Sequence, residues 1–508
     1  TFNWTIDGKS ICTTSTLTFS ADEAGRYFIL ISATNAGGTT EKEIRIDVFQ
    51  LDVPTISIAD ADKGFKVLQG SELTITPIVD SFLETSYSWQ INGEDISNEL
   101  TCTLPTIELG EYQVRFATHN EDGDDEVTFK VEVCSPDQVD FNWTFLQTEY
   151  NMSAGRTIRI KPVDVNNALD AVYTWTVDNE QVQSGENDTY LFTSEQQGEH
   201  TVKVEMKNSY ILATQTLKVN VCPPAGTYQR KISATSSASM NKVYEYLPAP
   251  GQFINENHNT TTMAEACTYA EERINQTAYV SLGGFGGYII VGFDHSIVND
   301  GDYNIAITGN AFDGSSEPGI VWVMQDENGD GLPNDTWYEL RGSEYGKAET
   351  WQDYAVTYHK PTGIQLPTPW TDNHGQSGSI DYLGAFHRQD YYYPAWVKEK
   401  QYTLRGTRLK ERNYDQSGNG TYWVNDSYEW GYADNFSAID RLTDDDNYNA
   451  GPSDNHFKIS HAVTFDGKDA NLKYVDFIKV QVGVNSKSGW LGEISTEVFG
   501  IKDFNMLK

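Results

Sequence analysis

From the first residue to about 222, apolar and polar residues alternate in short runs such as IRIDV (44–48), YQVRF (112–116) and HTVKVEM (200–206). A period of two sends successive side chains to opposite faces, so each run predicts a half-buried antiparallel strand. Clusters of Gly, Asn and Asp between the runs supply the turns. The pattern also repeats on a longer scale. A Trp, a Gly and an Asn recur as Trp4, Gly25, Asn35, then Trp89, Gly110, Asn120, then Trp175, Gly198, Asn208. The Trp-to-Gly offsets are 21, 21 and 23, and every Gly-to-Asn offset is 10. Three markers held this way predict three copies of one small β-sandwich, with the Trp on an inner face.

The copies divide as 1–50, 51–134 and 135–222, with linkers such as CSPDQ and CPPAG at their ends. They resemble PKD-like and other Ig-like modules of bacterial surface proteins, which implies a spacer or stalk. Only three residues precede Trp4, against about 38 between the module boundary and Trp89. The period therefore places roughly 35 residues of the first module upstream, together with any leader or lipid anchor.

Beyond 223 the rhythm changes. A helical period appears once, in MAEACTYAEERINQ (263–276), where Met263, Ala266, Cys267 and Ala270 share a face. Short Gly- and Asn-bounded strands make up the rest: YVSLGGFGGYIIVGF, YNIAITGN, GIVWVMQ, YVDFIKVQVGV and ISTEVFGI. The fold class is mostly β, and residues 223–508 are expected to form a larger, jelly-roll-like β-sandwich. A polar, aromatic stretch from about 347 to 455 has weak periodicity and reads as long inserted loops, where such folds keep their binding sites. Gly283, Gly284, Gly286 and Gly287 are not followed by a helix or a GK[ST] signature, so they mark a sheet crossing rather than a phosphate cradle.

Chemistry is suggested at two places. The first is MQDENGDGLPNDTWYEL (324–340). Asp326, Asn328 and Asp330 are spaced as in calcium loops, with Gly331 next. An EF-hand would need Glu at the twelfth position, which is Trp337, and the flanks are strand-like. An EF-hand is excluded. Asp335 can close a different oxygen cage around a structural Ca²⁺, the alternative being an Asx-rich turn without metal. The second place is the aromatic insert. Residues from 223 on hold 22 of 29 Tyr and 8 of 12 Trp. Tyr391, Tyr392 and Tyr393 are consecutive before Pro394, so an extended backbone leaves at least one exposed. With Trp396, Trp423, Trp430 and Tyr432 they offer rings for a flat ligand, or else pack the loops.

Composition narrows the function. A net charge of −37 argues against nucleic acid, whose phosphates require clustered Lys and Arg. No apolar run approaches the ~20 residues of a membrane helix. Five cysteines without a CxxC do not make a staple framework. There is no HExxH, GxSxG or Cys–His signature, and the abundant carboxylates single out no acid–base pair.

The motifs VSLGGFGGYIIVGFDHSI, EPGIVWVMQDENGDGLPNDTWYELRGSEY, WGYADN and GWLGEISTEV, behind PKD-like modules, resemble the surface cobalamin-binding lipoproteins (BtuH type) of Bacteroidetes. The resemblance implies a monomeric, lipid-anchored outer-membrane protein that captures cobalamin and delivers it to a TonB-dependent transporter. Cobalamin's corrin face and amide edge call for rings and neutral hydrogen-bonding groups, and Asn425 and Asn435 would join the ring set in that role. His387 would be placed to reach cobalt or to act as an ordinary hydrogen-bonded loop residue. The rival reading is glycan capture on the same rings, and a third is a protein-binding adhesin.

Overall fold

The computed structural model describes residues 1–508 apart from 22–24, 49–50, 60, 82, 136–142, 166–167, 169, 209–210, 257 and 443–451. Most of the CSPDQ linker and the end of the aromatic insert therefore lie outside the described residues. The chain divides into two compact units.

The first unit contains residues 1–61, 79–100 and 113–129. Here strand Phe2–Ile6 lies between Lys9–Cys12 and Gly25–Asn35, and Gly38–Val48 forms the edge. Trp4 stands opposite Ile31 in this sheet, and in the second copy Trp89 stands opposite Phe116. Trp89 is fully buried, its ring 4.6 Å from that of Phe116. Trp4 and Trp89 each donate Nε1–H over 2.9 Å to the carbonyl ten residues on, of Thr14 and Glu99. The Asn marker closes the hairpin: Asn35 Oδ1 accepts from Gly37 N–H, and Asn120 Oδ1 accepts from Asp122 and Gly123 N–H. The fixed offsets in the sequence are thus a ring that fills a core and an Asx turn that sets register.

The second unit contains residues 62–78, 101–112 and 130–508. In the third module, Glu149–Ser153, Leu212–Cys222, Gly198–Lys207, Val172–Val177 and Glu180–Gly185 form one sheet. Trp175, Met152, Ile160 and Val204 are buried there.

In the C-terminal domain a six-stranded sheet runs Lys242–Leu247, Tyr288–Val298, Tyr474–Val482, Gly319–Met324, Trp337–Leu340, Ala462–Val463. Its central strand comes from near the chain's end, so the domain closes only when distant segments meet. Smaller sheets complete the sandwich, including Ser453–Phe457 with Ile305–Gly309 and Gly500–Asp503. The expected helix spans Met263–Asn275, capped by Thr262 and Glu265, with Ala266, Ala270 and Ile274 buried. The insert differs from the long loops expected. Ser377–Ile380, Thr368–Asp372, Trp351–His359 and Gln401–Arg408 make a four-stranded sheet. Its strands are short and bounded by Gly, Pro and Asn turns, and a register shift between Trp351 and Tyr354 breaks the alternation. The glycine run is a close crossing, since a Cβ on Gly287 would overlap the Leu282 carbonyl and one on Gly283 that of Ala249.

Candidate functional site

The aromatic insert folds inward. Tyr392 and Tyr393 are each 1% exposed, Trp396 7%, Tyr432 2%, Asn425 7% and Asn435 0%. Their polar tips are spent internally. Tyr392 Oη donates to the His387 carbonyl, Tyr393 Oη to Glu399, and Trp396 Nε1 to Tyr246. Tyr432 Oη accepts from Glu344 N–H. Asn435 exchanges two hydrogen bonds with the Tyr428 backbone, and Asn425 Oδ1 accepts from Ser488 Oγ. These six residues do not form the ligand-facing surface expected of them, because burial of ring area and satisfied tips make them core. The remaining candidates are partly exposed but scattered. Tyr391 is half-buried beneath Lys360. Trp423 packs over Gly489. His387 Nδ1 lies 2.6 Å from Glu256 Oε1. Trp430, 5.1 Å from the His461 ring, lines a 250 Å³ cavity with Arg341, Asp440 and His456.

The acidic loop is a docking element. Asp326 turns both oxygens onto its own backbone, accepting from Gly329 and Gly331 N–H at 2.7 and 3.0 Å. Asn328 accepts from Asp330 N–H, and Asp330 from Leu332 N–H. The carboxylates of Asp326, Asp330 and Asp335 do not bring one oxygen each within 4.8 Å of one another among the described residues. The flanking groups instead reach the third module. Ser153 N–H donates to Glu327 Oε2 at 3.2 Å, Asn151 Nδ2 to Asn334, and Thr336 Oγ1 to the Asn151 carbonyl. Burial raises Glu327 to about 7 and Asp335 to about 8, and Glu327 and Asp326 add repulsion to Asp335.

Beside this docking contact lies a cleft of about 660 Å³, within the range typical of small-molecule sites. The third module contributes Leu146, Tyr150 and Arg159, and the C-terminal sheet contributes Trp322, Trp337 and Lys479. Trp322 stands between Lys479 and Glu339 on neighbouring strands, so these side chains share one face of the six-stranded sheet. Lys479 Nζ lies 4.7 Å from the Trp322 ring centre and 5.5 Å from that of Trp337. Burial lowers Lys479 to about 8 against the opposing pull of Glu245 and Glu339. Arg159 and Lys161 both reach Asp353, at 3.1 Å, and Arg405 pairs with Asp164. Gln147, Gln352 and Asn373 add neutral donors and acceptors. The sequence carried a signal for this site. Trp322, Trp337, Glu339 and Lys479 occupy alternate positions of VWVM, WYEL and FIKV, which marks one face of three strands.

Residues 53–120 and 125–208 match the PKD-like domain family. The chain thus carries tandem PKD-like, Ig-like β-sandwich modules, a kind that is typically non-enzymatic. No curated protein matches the chain. Among solved structures, the fibronectin(III)-like modules of Clostridium thermocellum CbhA align with 16% identity over 35% of this chain and 100% of theirs, at TM-score 0.18. Three N-terminal domains of the bacteriophage RB49 outer capsid protein Hoc align with 15% identity over 43% of this chain and 87% of theirs, at TM-score 0.20.

Proposed function

We propose that the protein is a non-enzymatic binding protein of the bacterial cell surface, in which the PKD-like modules carry a C-terminal domain that captures cobalamin. In this reading it is a monomer, held at the outer membrane by a lipid anchor, and it passes the vitamin to a TonB-dependent transporter. The ligand sits in the cleft between the third module and the C-terminal sheet. One observation carries this: the cleft sets the indoles of Trp322 and Trp337 and the Phe465 ring beside Lys479, with Arg159, Lys161 and Arg405, each paired to Asp353 or Asp164, around them. Flat rings suit the corrin face, the amides of Gln147, Gln352 and Asn373 suit its amide edge, and a cation suits the nucleotide's phosphodiester.

Titration calorimetry with cyanocobalamin should give saturable binding to the purified chain. Absence of heat and of any spectral change would reject the vitamin. Glycan capture is the second reading, and it rests on Phe386 and Trp490, which are 64% and 50% exposed with ring centres 6.3 Å apart. A glycan panel in the same experiment tests it. Binding of a glycan that is lost in Trp490→Ala would favour that reading.

A further inference from the structure

Three acidic residues from distant stretches, Glu317 (EPG), Asp434 (YADN) and Glu497 (STEV), converge where the strands Gly319–Met324 and Glu497–Val498 meet the Ala433 bridge to Gly319. One carboxylate oxygen from each lies within 4.8 Å of the other two. Asp434 is 1% exposed and Glu497 4%, while Glu317 is half-buried. The framework holds them firmly. Asp434 Oδ1 accepts from Asn310 and Ala311 N–H at 2.7 and 2.9 Å, and its Oδ2 accepts from Glu497 N–H at 2.9 Å. Glu317 Oε1 accepts from Ser495 N–H at 3.3 Å. Glu497 Oε1, in contrast, is shielded from solvent and has no hydrogen-bond partner. A buried, unpartnered carboxylate oxygen is costly unless something positive answers it. Burial pushes the Glu497 carboxyl well above the ordinary carboxylate range, and the neighbouring carboxylates, Glu317 and Asp434 before Glu493, push it further.

We propose that Glu317, Asp434 and Glu497 bind one Ca²⁺. Oxygens about 2.3–2.6 Å from a central ion stand up to about 5 Å apart, which the observed spacing satisfies. The donors are all carboxylate oxygens, without His or Cys, which selects a hard cation over zinc. Three carboxylates in mono- or bidentate modes suit the irregular, higher coordination of Ca²⁺ better than the strict octahedron of Mg²⁺. The bound ion joins three segments distant in sequence and so stiffens the C-terminal domain.

Equilibrium dialysis of the full, metal-stripped chain against Ca²⁺ should show one site that is lost in Glu497→Gln and kept in Asp330→Asn of the acidic loop. Calcium at about 100 times its Kd should raise Tm by roughly 5 °C in the unaltered chain and leave Glu497→Gln unmoved. Without calcium, Glu497→Gln should melt above the unaltered chain, because a buried repulsion is gone, and this separates lost binding from misfolding. A chain that binds no Ca²⁺, or one that keeps its site in Glu497→Gln, overturns the proposal. So does loss of the site in Asp330→Asn with Glu497→Gln unaffected.

Discussion

The aromatic insert and the interdomain cleft contain the same kinds of side chain and use them oppositely. Around Tyr392, Tyr393, Trp396 and Tyr432 the rings are buried and each polar tip is answered by a backbone group of the same domain. In the cleft, Trp322 and Trp337 stay half-buried beside cations, and the Trp322 Nε1 has no partner. Density of rings along a sequence therefore marks where a domain needs bulk. Half-buried rings beside concentrated charge mark where it keeps a surface for something else.

The largest expected effect breaks this comparison most sharply. Trp396→Ala or Tyr393→Ala should lower the stability of the unit by about 3–5 kcal/mol in denaturant titration, as for other buried aromatic truncations. A loss under ~1 kcal/mol would make those rings surface. Trp337→Ala should leave stability within ~1 kcal/mol but weaken ligand binding by about tenfold or more, read by calorimetry.

The loop at the edge of the cleft predicts a pH dependence. Asp335 is raised from 3.8 to about 8 and Glu327 from 4.5 to about 7, so the folded state holds protons that the unfolded state has released. The contribution of these two groups to stability should be fullest near pH 4 and be lost as pH rises to about 8. Asp335→Asn should flatten that decline by about 1–2 kcal/mol at pH 8.5, measured by thermal melts across pH. A variant with an unchanged slope would remove Asp335 from the account. The smallest effect concerns Lys479. With its ammonium leaving at about pH 8, binding of an anionic group in the cleft should weaken by a few-fold between pH 7 and 9, and Lys479→Met should abolish that dependence.

Much of the fold was legible in the sequence. The Trp, Gly and Asn markers and the period-two runs located the repeated sandwiches, because a buried ring and an Asx turn need those residues at those offsets. The capped helix Met263–Asn275 was equally plain. The strands of the insert were not, since they are short, lie between Gly-, Pro- and Asn-containing turns, and are interrupted by a register shift between Trp351 and Tyr354. The acidic loop looked like a metal site because Asx turns and calcium loops draw on the same short oxygen-bearing residues. Only the fold shows that Asp326 answers its own backbone while Glu327 and Asn334 reach the third module. The cleft and the Glu317–Asp434–Glu497 cluster were harder still, because each is assembled from several segments that are separate in the sequence. The cleft's local trace is a charged or indole side chain at an alternate position of an otherwise apolar strand.

Parallel titrations of cyanocobalamin into the unaltered protein, Trp337→Ala and Trp430→Ala test the central claim most directly. Binding to the unaltered protein, lost at least tenfold in Trp337→Ala and changed less than about twofold in Trp430→Ala, is the predicted result. The reverse order of losses would contradict placement of the ligand in the cleft, and no binding to the unaltered protein would contradict cobalamin capture itself.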